Sequence, residues 1–90
     1  MKLDILTPEF VTLMPDDLVP GVIYISREYG VALHLCACGC GNEVVTLFGR
    51  SGWELVENDG VVTLKPSIGN FSFPCRSHYY IRGNRVVWCR

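Results

Sequence analysis

Three cysteines within five residues, in Cys36-Ala37-Cys38-Gly39-Cys40-Gly41, carry the strongest chemical signal in this 90-residue sequence. Zinc takes four ligands with sulfur about 2.3 Å from the metal, and a ligand loop must bend sharply for its backbone N–H groups to face the thiolates. Gly39 and Gly41 supply that freedom. Alternate cysteines on a straight strand share a face, but their Cα atoms lie roughly 7 Å apart, so the chain must curl before two of them can share one ion. A second half-site stands in Cys75-Arg76-Ser77-His78, where Cys-x-x-His is a chelating spacing. Cys36, Cys38, Cys40, Cys75 and His78 thus offer five ligands for four places, with His34 and Cys89 in reserve. Reduced cysteines filling a core rarely come three in five beside glycines. A redox pair would want a helix start in a βαβ setting, and none is visible.

Ser67, in Lys65-Pro66-Ser67-Ile68-Gly69-Asn70, is the next candidate. A serine after proline ordinarily caps a turn through its hydroxyl; beside an imidazole it becomes a nucleophile. His34 and His78 are the only imidazoles of the chain, so they are the candidate bases. A His78 committed to a metal is not free to act as one. His34, alone in an apolar strand, reads as a surface histidine. Trp53, Tyr79, Tyr80 and Trp88 read as core rather than as a stacking surface, because half of any small sheet must be buried. Arg76, Arg82, Arg85 and Arg90 make the C-terminal segment locally basic, which reads as a solvated face.

The elements that must position these groups are strands. Short apolar runs rich in Val, Ile, Leu, Phe and Tyr are separated by Pro, Gly, Asn and Asp, and none holds a helical period. Pro15-Asp16-Asp17-Leu18 allows one helical turn at most. The pattern predicts strands at Phe10 to Leu13, Val22 to Ser26, Val31 to Cys36, Glu43 to Phe48, Trp53 to Glu57, Val61 to Lys65, His78 to Arg82 and Arg85 to Cys89. Hairpin turns fall at Glu57-Asn58-Asp59-Gly60 and Gly83-Asn84. The fold class is mainly β, a small antiparallel sandwich or half-barrel built around a zinc site. Alternation puts Val31, Leu33 and Leu35 inward, with Ala32, His34 and Cys36 on the other face. A two-residue Gly83-Asn84 loop pairs Arg82 with Arg85, Tyr80 with Val87 and His78 with Cys89.

Length and composition bound the rest. Ninety residues make a single zinc-binding β domain, 1–90, with a radius of gyration of roughly 12 Å. Eight basic against nine acidic residues give no positive field for nucleic acid or an anionic membrane. No uncharged stretch approaches the ~18 residues of a spanning helix. Asp4, Pro8 and Glu9 interrupt the start before a signal-peptide apolar region develops, so a cytoplasmic location is expected. Five cysteines, an odd number, in a reducing compartment read as metal ligands rather than disulfides. A core this small leaves little margin, and a structural zinc can contribute about 10 kcal/mol.

Across nearly the whole chain, roughly residues 10 to 88, the sequence resembles BubE, the bacterial polyubiquitin-related family E. The resemblance is carried by Gly21-Val22-Ile23-Tyr24-Ile25-Ser26, His34-Leu35-Cys36-Ala37-Cys38-Gly39-Cys40-Gly41, Trp53, Pro66-Ser67-Ile68 and Cys75-Arg76-Ser77-His78-Tyr79-Tyr80-Ile81. Members are encoded beside bacterial ubiquitin-like proteins and their E1-, E2- and peptidase-like enzymes. The resemblance therefore implies a part in ubiquitin-like conjugation or its reversal, with the ubiquitin-like protein or its E1- or E2-like enzymes as partners. Two roles follow. One is a zinc-stabilised accessory or binding module, favoured because thiolate-rich zinc sites are mostly structural and such a metal is a poor Lewis acid. The other is a small hydrolase or peptidase acting on a ubiquitin-like C-terminus, through Ser67 with His78 or His34, or through a zinc-bound water.

Overall fold

Eight strands and no helix make up the computed structural model, which describes residues 2–89. The first sheet contains β1 (Thr7–Phe10), β2 (Val22–Ser26), β3 (Val31–Leu35) and β4 (Glu43–Leu47), side by side in chain order. The second contains β5 (Glu54–Asn58), β6 (Val61–Gly69), β7 (His78–Arg82) and β8 (Arg85–Trp88), again in chain order. Every neighbouring pair is antiparallel except β1 with β2, which is parallel and connected by the irregular segment 11–21. The all-antiparallel expectation fails at that one pair. The strand expected at Phe10 to Leu13 lies earlier, over Thr7–Phe10, because a proline such as Pro8 is tolerated on the edge strand that β1 forms.

Asp59 (φ 51°) with Gly60 (φ 83°) turns β5 into β6, and Gly83 (φ 56°) with Asn84 (φ 68°) turns β7 into β8. Two successive positive φ values define the hairpin turn whose twist matches that of the flanking strands. The second turn fixes the register expected from sequence, with Arg82 opposite Arg85 and Tyr80 opposite Val87. Beyond the last ladder pair, the Cys89 N–H donates to the His78 carbonyl at 2.9 Å. That bond ties down the backbone at the entry to β7.

The two sheets share one core. Ile23, Ile25, Ala32, Cys36 and Val44 come from the first sheet and its margin; Val62, Leu64, Ile68, Tyr79 and Ile81 come from the second, and Leu6 joins them. A Phe48–Trp53 bridge and an Ile5–Arg85 bridge connect the sheets along the backbone. The radius of gyration is 11.9 Å.

The inward face of β3 is the reverse of the sequence expectation. Ala32, His34 and Cys36 are buried, and Val31, Leu33 and Leu35 are only half-buried. Register explains the exchange: Ala32 and His34 pair with the buried Thr46 and Val44, whereas Leu33 and Val31 pair with Val45 and Leu47, which are exposed. Hydrophobicity favours the Val31-Leu33-Leu35 face and so points the wrong way on this strand. The space under the sheet is filled from β7 by Tyr79, which leaves room for alanine and a hydrogen-bonding histidine. His34 is accordingly not a surface residue; it is fully buried.

Candidate active site and metal centre

The strand expected to stop at Lys65 continues to Gly69, and that continuation carries Ser67. Between the pairs Leu64–Ile81 and Ile68–Tyr79 the register slips, so that three β6 residues, Lys65 to Ser67, stand opposite Tyr80 alone. Such a bulge bends a strand and re-aims a side chain, and it accommodates a proline that a regular ladder would reject. Here it points the Ser67 hydroxyl at the neighbouring strand. Ser67 Oγ and His78 Nε2 are 2.8 Å apart. The Trp53 indole N–H donates to the Ser67 carbonyl at 3.3 Å and holds the bulge from the β5 side.

His78, the first residue of β7, is half-buried, while its neighbours Ser77 and Tyr79 point into the core. Its imidazole is held between two rings: Phe71 meets it edge-on at 5.3 Å between centroids, and Tyr80 stacks beside it at 6.5 Å. Gly69, paired with His78 across the ladder, makes the Phe71 contact possible. A Cβ at Gly69 would come within 2.5 Å of the Phe71 ring. Among the described residues no carboxylate hydrogen-bonds to His78. Ser67 and His78 are thus a hydrogen-bonded pair whose imidazole is packed between two aromatic rings.

Four of the five candidate ligands converge elsewhere. The sulfur atoms of Cys36, Cys38, Cys40 and Cys75 all lie within 4.8 Å of one another, so this group could hold a metal ion. Cys36 and Cys38 are 3.4 Å apart, Cys40 and Cys75 3.7 Å, and Cys36 and Cys75 3.9 Å. A tetrahedron with 2.3 Å metal–sulfur bonds has edges of roughly 3.8 Å, so the donor set fits a four-thiolate centre. The curl that brings them together follows β3, where the Gly39 N–H donates to the Cys36 carbonyl at 3.0 Å. Side chains around the sulfurs complete the surroundings: the Asn42 amide donates to Cys40 at 3.2 Å, Ser77 Oγ is 3.0 Å from Cys36, and the Asn70 amide donates to Ser77 at 2.9 Å. The hydroxyl of Ser77 pulls the Cys75 thiol down to about 6, and the backbone N–H of Asn42 lowers that of Cys40. Burial and the neighbouring sulfurs push Cys38 up to about 12. At Cys75 and Cys40, donors already aimed at sulfur favour the deprotonated state that a metal requires.

His78 is not in this group, and neither is Cys89. The Cys75-x-x-His78 spacing separates instead of chelating: Cys75 sits in the turn before β7, beside the sulfurs, and after Arg76 in a left-handed conformation (φ 49°) His78 opens β7 facing Ser67.

His34, the other imidazole, is bound elsewhere: its Nε2 lies 2.7 Å from the Tyr79 hydroxyl. The Ala37 N–H donates to that same oxygen at 3.4 Å, which leaves the hydroxyl hydrogen for His34. His34 Nδ1 is buried without a partner. Burial lowers the His34 pKa from 6.5 to about 4, and burial likewise raises that of Tyr79. Between those two His34 values the unfolded chain binds a proton that the folded one does not. Folding stability should therefore fall as the pH is lowered from 6.5 towards 4, by about 3 kcal/mol at the lower end. His34→Gln should flatten this part of the profile, read as melting temperature against pH for the two proteins side by side. Equal slopes would show that His34 is not held neutral.

A family model described as bacterial ubiquitination-like system serine protease (BubE) matches residues 10–89. No curated protein and no solved structure matches the chain.

Proposed function

The chain belongs to the BubE family of bacterial ubiquitination-like systems, and from that premise we propose that it is a serine hydrolase whose nucleophile is Ser67 and whose general base is His78. The observation that carries the reading is the 2.8 Å contact between Ser67 Oγ and His78 Nε2. Within that distance an imidazole can take the hydroxyl proton as oxygen attacks a carbonyl carbon, forming an acyl-enzyme. The imidazolium then returns the proton to the departing group, and a water deprotonated by His78 releases the acyl chain. Among the described residues no carboxylate holds the imidazole, and Phe71 and Tyr80 pack against its ring instead. The substrate is the C-terminus of a ubiquitin-like protein joined to further residues or to a target, and the reaction takes place in the cytoplasm.

Cys36, Cys38, Cys40 and Cys75 would hold one zinc ion, which supplies a structural cross-link between the two sheets when bound. The accessory module favoured by the cysteine pattern thus gives way to the hydrolase. The structural role of the metal is kept, and the chemistry lies at the dyad beside it.

The test is incubation of the purified, metal-loaded protein with a ubiquitin-like fusion extended past its C-terminus, read by gel and mass. In parallel, a fluorophosphonate probe is mapped by peptide mass. Cleavage after the ubiquitin-like tail and a single adduct on Ser67 are expected. A folded protein that binds the fusion but neither cuts it nor takes up the probe would return the accessory-module reading.

A further inference from the structure

Charge is distributed unevenly along this chain. All nine acidic residues precede Gly60, whereas the segment 60–90, which contains both Ser67 and His78, carries five Lys or Arg residues and no carboxylate. Folding then gathers four cations beside the dyad. On one side is a hollow of about 410 Å³ lined by Lys65, Pro66, Tyr80 and Arg82 among others. Pro66 precedes the serine and Tyr80 stacks on His78, so this hollow adjoins the reacting groups. Arg82 lies over the Tyr80 ring at 4.2 Å, which presents its guanidinium along the same wall. On the other side is a hollow of about 300 Å³ whose lining includes His78, Phe71, Lys2, Arg76 and Trp88. Arg76 lies over Phe71, and Lys2 over Trp88.

Neither Lys65 nor Arg82 forms an ion pair within the described residues. The one ion pair there is Arg27–Glu57, on the far end of β5. Glu54 stands opposite Lys65 in the β5–β6 register, yet the two form no ion pair. The first hollow has no acidic lining residue, whereas the second is also lined by Cys38 and Cys75 of the sulfur group, whose thiolates offset Lys2 and Arg76. Arg82, stacked on Tyr80, is already held in place, so meeting a carboxylate costs its side chain little further ordering entropy.

We propose that the dyad selects a peptide with acidic side chains close to the scissile bond, with Lys65 and Arg82 in the first hollow recognising the carboxylates. The inference rests on the Ser67–His78 reading for the position of the cut, but the charge preference itself is a property of binding. It supplies a discrimination that the dyad lacks, since a serine and an imidazole attack any acyl bond they reach. With a net charge of only −1, the chain as a whole neither attracts nor repels such a segment strongly, so the local charge of this hollow decides.

The experiment uses fusions of one ubiquitin-like protein that differ only in three residues past its C-terminus: Glu, Gln or Lys at each. Two readouts are taken: kcat/KM for cleavage by the native protein, and Kd for binding of the uncut fusion to Ser67→Ala. Glu over Lys is expected by at least about tenfold in both, with the ratio shrinking between 50 and 500 mM salt as screening grows. Lys65→Glu with Arg82→Glu should invert the order. Lys65→Gln with Arg82→Gln should bring the ratio close to one while leaving the melting temperature within a few degrees. Equal Kd for the three fusions, or a ratio unmoved by charge reversal, would overturn the proposal. Absence of cleavage with an intact Kd preference would instead overturn the hydrolase reading and leave the acidic-segment site standing.

Discussion

Ser67→Ala should lower kcat for cleavage of a ubiquitin-like fusion by about 10³-fold or more while shifting the melting temperature by only a few degrees. The asymmetry follows from where the hydroxyl sits. It makes one hydrogen bond, to a half-buried histidine, and loss of such a bond costs about 1 kcal/mol of stability. Loss of a nucleophile removes a covalent route altogether. His78→Ala should be nearly as severe, and the double variant should be little worse than either single one, because nucleophile and base act as a unit. If Ser67 serves only to hold the bulge to β7, the two single variants would each lower stability modestly and any cleavage would survive. Retention of more than about a tenth of native kcat by Ser67→Ala, or effects of the two substitutions that multiply, would separate the dyad from the reaction.

Both halves of this site were visible in the sequence as residues, but their meeting was not. Pro66 reads as the end of a strand, so Ser67 is assigned to a turn, where a hydroxyl ordinarily caps backbone N–H groups. A bulge leaves no composition signal; it is the tertiary pairing of β6 with β7, two β6 residues out of step between Leu64 and Ile68, that lets the strand run on to Gly69. The chelating spacing of Cys75 and His78 pulled the histidine towards the metal in the sequence reading, since spacing alone cannot say on which side of a strand start each residue falls. The cysteine group was more legible. Three thiols and two glycines in six residues force a local curl, and only the arrival of Cys75 from the second sheet needed the fold. The turns at Asp59-Gly60 and Gly83-Asn84 were legible for the same local reason, as positive φ is paid for by few residue types. The face of β3 was not, because its more apolar side, Val31, Leu33 and Leu35, is the outer one, and burial there is decided by what Tyr79 and the sulfur group leave free. One aid was present but weak: a histidine placed between two leucines, with no acidic neighbour, suits a buried hydrogen bond as well as a solvated surface.

Removal of the metal should be the most damaging single treatment for the fold. Protein prepared without added metal should contain about one zinc per chain by elemental analysis, and a strong chelator should abolish the cooperative melting transition. Binding to a structural thiolate site is worth about 10 kcal/mol, which is comparable to the whole stability of an ordinary domain. The position of the ligands raises the stakes, since Cys36, Cys38 and Cys40 follow β3 of the first sheet and Cys75 precedes β7 of the second. Without an ion, four thiols that favour ionisation unequally are crowded within 4.8 Å, and the two sheets lose the cross-link beside their shared core. Cys75→Ser, Cys38→Ser, Cys40→Ser and Cys36→Ser should each lose zinc and most of the melting transition, whereas Cys89→Ser should keep both. Cleavage should disappear with the zinc, because only two residues separate Cys75 from His78, and the backbone that enters β7 is set by that ligand. Full zinc occupancy and an unchanged melting curve in Cys75→Ser would show that the two sheets do not share an ion. Cleavage that persists in the chelated protein would show instead that the dyad is positioned by the β6–β7 pairing alone.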